Sequence, residues 1–69
     1  MRILLDSSNI CEVVYYRPQG ILEVVFHGGR VYRYAGITEA VFQEFITAES
    51  AGKYYNAKIK RQFKSARWH

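Results

Sequence analysis

Residues 10–34 consist of three extended runs, ICEVVYY, ILEVVF and VYRY, separated only by RPQG and HGGR. The runs are rich in β-branched and aromatic side chains, which fit a pleated, half-buried surface. Pro18 at the second position of RPQG and Gly20 at the fourth suit a type I turn, and Gly28-Gly29 marks the second reversal. Connections this short join antiparallel neighbours, because a parallel pair needs a crossover of a dozen or more residues. The first half of the chain therefore reads as a three-stranded antiparallel meander.

Its register follows from keeping one face apolar. With Arg17 to Gly20 as the first loop, Tyr16 faces Ile21, and Tyr15–Leu22, Val13–Val24 and Cys11–Phe26 become cross-strand pairs on one face. A two-residue Gly28-Gly29 turn would pair Phe26 with Val31 and put Arg33 on that face. A three-residue loop pairs Phe26 with Tyr32 and Val24 with Tyr34, turns Arg33 outward, and is the register expected. The core face is then Cys11, Val13, Tyr15, Leu22, Val24, Phe26, Tyr32 and Tyr34. Glu12, Val14, Glu23, Val25, Val31 and Arg33 form the other, open face.

The period changes after Gly36. In ITEAVFQEFITAE the apolar residues Val41, Phe42, Phe45 and Ile46 share one helical face. Thr38 is the expected N-cap, Glu39 suits the positive end of the helix dipole, and Ile37 stands at staple spacing from Phe42. Ser50 caps a second helix expected to run to about Phe63, with Tyr55, Ile59 and Phe63 stacked toward the core. Gly52 marks a junction or a close backbone approach. At about 100° per residue, Lys53, Lys60 and Lys64 fall on the side opposite the core residues, flanked by Arg61 and Tyr54. The expected architecture is α+β: the meander with both C-terminal helices packed on one face.

Sixty-nine residues make one domain, 1–69, with residues 1–6 an extra strand or a tail and 64–69 a flexible tail. A core this small leaves little stability margin. Composition is that of a globular chain, 49% hydrophobic and 16% aromatic. One cysteine excludes an internal disulfide. The opening MRILLD is too short an apolar stretch for a signal peptide or a membrane span, so a cytoplasmic location is expected. Charge is unevenly spread. Residues 1–49 hold four basic and six acidic side chains, whereas 50–69 hold six basic and none acidic.

Taken together, SSNI near the start, the tyrosine closing the first run, ILEVVFHGGRVYRY and AESAGKYYNAKIKRQF resemble the KTSC domain. That short domain is named for its place at the C-terminus of some lysyl-tRNA synthetases, and it also occurs alone in small bacterial and phage proteins. The resemblance runs from Ser7 to Phe63 and departs at Thr38, where the family usually has proline; both residues suit a helix start. It implies association with RNA through domain company and brings no catalytic residues.

The residues themselves offer little chemistry. His27 reads as a solvated turn-edge residue, and Cys11 as a small buried hydrophobe. DSSN reads as a turn held by side chain to backbone bonds. One cysteine and two distant histidines form no metal set, and the glycines form no phosphate loop. No enzyme, cofactor or metal is expected. Tyr15, Tyr32 and Tyr34 are core residues, whereas Tyr16, Tyr54 and Trp68 are candidate exposed platforms for base stacking. The leading expectation is a non-enzymatic module that binds tRNA-like or single-stranded RNA. Lys53, Lys60, Arg61 and Lys64 would contact phosphates, and Tyr54 and Trp68 would stack on bases. The plainer reading of the same lysines is a solvated helix face. The alternative function is a protein-interaction domain that docks a partner, or weakly a second copy, through Val14, Val25 and Val31. Membrane binding is not expected, since the apolar helix face is needed for the core.

Overall fold

Pro18 and Gly20 turn the chain as their chemistry requires. Proline sits in a single 3-10 turn at Arg17–Gln19, and Gly20 closes it in the left-handed region at φ 65°. The computed structural model describes residues 1–67. Five strands form one antiparallel sheet in sequence order: β1 (Arg2–Leu4), β2 (Ile10–Tyr16), β3 (Ile21–Phe26), β4 (Val31–Tyr34) and β5 (Ser65–Arg67). Two helices lie between β4 and β5. The first, α1, is Glu39–Thr47. The second, α2, is continuous over 51–62, built from Ala51–Tyr54, a π-helical stretch Tyr55–Ile59, and Lys60–Gln62.

The α+β class and the two helices are as expected, but the sheet has five strands rather than three. Residues 1–6 contribute β1, whose Ile3 stands opposite Val13. The expected flexible tail at 64–69 is corrected for its first part. Ser65 pairs with Tyr34 and Ala66 with Arg33, and β5 so covers the otherwise bare edge of β4. Residues 68 and 69 lie outside the described residues.

In the first hairpin Tyr16 faces Ile21, Tyr15 faces Leu22 and Val13 faces Val24, as expected. Cys11 does not face Phe26. A β-bulge between Ile10 and Glu12 puts Ile10 there instead, fully buried, and leaves Cys11 half-buried. The bulge exchanges a small thiol for a larger aliphatic side chain in the core.

The second hairpin keeps the expected faces and shifts the partners by two. Val24 pairs with Tyr32 and Leu22 with Tyr34, while Arg33 stays on the open face opposite Glu23. The loop has three residues, but they are His27, Gly28 and Gly29. Phe26 N donates to Arg30 O, and Gly29 N donates to Phe26 O. Both glycines have positive φ, 101° and 97°. The expected loop, one residue further on, would have forced Arg30 into the left-handed region that Gly29 occupies without cost.

The helices form where their caps place them. Thr38 Oγ1 accepts from Val41 N at 3.2 Å, and Ser50 Oγ accepts from Lys53 N at 3.3 Å. Phe42 and Phe45 of α1, with Tyr55 and Ile59 of α2, pack on Ile10, Val13, Tyr15, Leu22, Val24 and Tyr34 of the sheet. Tyr15 stacks on Phe42 at 4.4 Å, and its hydroxyl donates to Ile37 O at 2.7 Å. The hydroxyls of Tyr34 and Tyr55 hydrogen-bond to each other, so these buried polar groups are satisfied.

Candidate nucleic-acid interface

Helix α2 turns two residues inward, Tyr55 and Ile59, and the intervening positions outward. Lys53, Lys58, Lys60 and Arg61 are all exposed. Within the π-helical stretch Lys60 N donates to Tyr55 O, one residue further back than in an α-helix. Lys53, Lys60 and Arg61 still share one shallow depression on the outer side of α2, with Asn56 and Ala57 between them. Lys58 faces a neighbouring hollow with Glu49, Lys53 and Tyr54.

Three of the six acidic side chains are paired elsewhere. Glu12 pairs with Arg2, Glu39 with Arg17 and Glu23 with Arg33, each at 2.9 Å. Among the described residues, Lys53, Lys60 and Arg61 have no carboxylate partner. No ion pair among the described residues therefore neutralises these three cations.

Two of the expected site residues, Lys64 and Tyr54, are placed differently. Lys64 is exposed but lies beyond α2, because Phe63 is extended (φ −122°, ψ 145°) and ends the helix. Tyr54 is not an exposed platform. Its ring stacks on Phe45 at 5.7 Å, and its hydroxyl donates to Glu44 Oε1 at 2.8 Å. Removal from water, then the bond to the Glu44 carboxylate and its charge, push the Tyr54 phenol up to about 12. Trp68 lies outside the described residues. Tyr16 is 39% exposed, but it stands on the open sheet face, where the Arg33 guanidinium lies 5.6 Å from its ring centre.

That open face is only partly apolar. Glu12 and Glu23 are held by Arg2 and Arg33 beside the half-buried Val14, Val25 and Val31. Leu4 at its edge is 74% exposed.

A cleft of about 280 Å³ opens where the hairpin end of the sheet meets α2. Phe26, Tyr32, Tyr34 and Ser65 of the sheet line it together with Tyr55, Asn56 and Lys60 of α2. The exposed Asn9 and Arg30 also line it, with the Arg30 guanidinium 5.4 Å from the centre of the Phe26 ring. Asn56 and Lys60 also line the depression on α2, so the two surfaces are continuous. The hairpin loop is tied to the turn before β2, since His27 N donates to Asn9 O at 2.9 Å. Ser7 Oγ in turn accepts from Asn9 N and Ile10 N.

The sequence profile of the KTSC domain matches residues 6–63. The chain belongs to the KTSC domain family. It is 38% identical over 61 residues to an uncharacterised protein of Stutzerimonas stutzeri, covering 88% of this chain and 86% of that one. A protein of Tsukamurella paurometabola is 33% identical over 61 residues, covering 88% and 91%. The crystal structure of a KTSC domain protein from Yersinia pestis superposes with a TM-score of 0.91 at 30% identity, covering 100% of this chain and 97% of that one. In this KTSC domain the described residues hold no group of three or more His, Cys, Asp or Glu placed to bind a metal. No described helix is long and apolar enough to cross a membrane.

Proposed function

We propose that this KTSC domain is a cytoplasmic, non-enzymatic module that binds RNA across the outer side of α2. The supporting observation is the depression shared by Lys53, Lys60 and Arg61, three cations without a carboxylate partner among the described residues. Buried or paired cations would contribute little to an incoming phosphate, whereas these remain available to replace its counterions. Lys64 extends the same charge past the end of the helix. The stacking role expected of Tyr54 is left out of this reading, because its ring is already packed on Phe45.

The test is fluorescence anisotropy with structured and single-stranded RNA at two salt concentrations. Saturable binding that weakens steeply with salt is expected. Lys53→Glu with Lys60→Glu and Arg61→Glu should remove it without unfolding the domain, because all three side chains are exposed. Each lost contact should reduce the salt slope by about 0.7 for a single strand. No saturable binding at low salt would refute the reading. The 74% exposed Leu4 beside the half-buried valines of the sheet favours a second reading, a protein partner docked on the open face. Its binding would change little with salt.

A further inference from the structure

We propose that the cleft between the hairpin end of the sheet and α2 takes one phosphorylated nucleoside, either free or as a single unstacked nucleotide of an RNA strand. The second form rests on the RNA reading above. Three features of the lining point to this ligand. Arg30 and Lys60, from the hairpin and from α2, both line the cleft, no acidic side chain lines it, and neither cation has an ion-pair partner among the described residues. An anion is therefore favoured over a cation.

The second feature is aromatic. Phe26 and Tyr32 meet edge to face at 5.9 Å, and Phe26 and Tyr55 at 5.3 Å. Tyr34 and Tyr55 are nearly closed off, so Tyr32, half-buried, is the tyrosine with surface left to offer a planar ring. Arg30, already over Phe26, is placed to stack on a base as well as to meet a phosphate.

The third feature separates a nucleotide from a simple anion. Asn9 and Asn56, from different segments, both line the cleft, and neither side-chain amide has a hydrogen-bond partner among the described residues. An amide carries both donors and an acceptor, the pattern that reads a base edge and that an inorganic anion does not need. The volume, about 280 Å³, is at the small end of ligand sites, which suits one nucleotide and not two. Because Asn56 and Lys60 belong to both surfaces, a strand lying on Lys53 and Arg61 passes the mouth of the cleft.

The test titrates the full domain with each of the four ribonucleoside 5′-monophosphates, with ribose 5-phosphate, with inorganic phosphate and with a short single-stranded RNA. Binding is followed by amide chemical-shift changes. At least one nucleotide should bind saturably, shift Asn9, Arg30 and Asn56, and compete with the RNA, while inorganic phosphate binds far more weakly. Arg30→Ala and Asn9→Ala, both exposed and outside the α2 depression, should each weaken nucleotide binding about tenfold, the scale of one charge-assisted or paired contact. Lys53→Ala should weaken RNA alone. If RNA binds and depends on Lys53, but no nucleotide binds and the cleft variants leave RNA affinity unchanged, the cleft proposal is overturned and the RNA reading stands. If nucleotides bind and RNA does not, the cleft holds a free nucleotide and the RNA reading falls. Phosphate binding as tightly as the nucleotides, or no binding of any probe, overturns the proposal.

Discussion

Replacing Phe42 by alanine removes the side chain that joins α1 to the sheet. Phe42 is 1% exposed and stacks on Tyr15 with the rings 15° from parallel. Emptying such a site costs about 3–5 kcal/mol, including the lost ring pair. A 69-residue domain has a total stability of roughly 3–10 kcal/mol, so the loss removes about three tenths of it at least and all of it at worst. Phe42→Leu keeps most of the volume and should cost about 1 kcal/mol, which lowers the melting temperature by about 4–8 °C in a domain of this size. Thermal melts followed by circular dichroism should therefore rank parent, Phe42→Leu and Phe42→Ala in that order. The alanine variant should lack a cooperative transition or melt far below the parent. A cooperative melt of Phe42→Ala within about 4 °C of the parent would refute this account of the core.

Two further perturbations probe local structure. Gly20→Ala forces alanine to φ 65° and brings its Cβ within 3.2 Å of Ile37 O; it should cost about 1–2 kcal/mol, read as a lower urea midpoint with an unchanged slope. Tyr54 favours its neutral form in the fold, with its phenol raised from 10.0 to about 12. Its contribution is therefore fully present below pH 10 and lost as the pH rises toward 12, so Tyr54→Phe should flatten the fall of the urea midpoint in that window, and an unchanged fall would show that Tyr54 is not the group responsible.

Elements whose residues carry a strong periodic signal were legible in the sequence. The inward faces of β2, β3 and β4 follow from alternation, and the starts of α1 and α2 follow from Thr38 and Ser50. Parity fixed Arg33 on the open face, but it cannot distinguish registers two residues apart; the φ demand at Gly29 decided that. Alternation likewise could not show the bulge at Cys11, where a larger neighbour, Ile10, takes the buried position. β5 is three residues, Ser-Ala-Arg, with no β signature of its own, and it forms because β4 leaves an edge to pair. The basic character of α2 was plain from the charge distribution, whereas the packing of Tyr54 on Phe45 depends on how α1 and α2 meet. The cleft was invisible for the same reason. Asn9, Arg30 and Lys60 come from three distant segments, and only the tertiary fold brings them together.

The central claim is that the outer side of α2 meets a nucleic acid, and amide chemical-shift mapping of the isotope-labelled domain with a short single-stranded RNA tests it most directly. The account predicts saturable shifts concentrated at Lys53, Asn56, Lys60 and Arg61, with the strands of the open face unchanged at Val14, Val25 and Val31. Shifts confined to those three valines, or none anywhere at low salt, would contradict it.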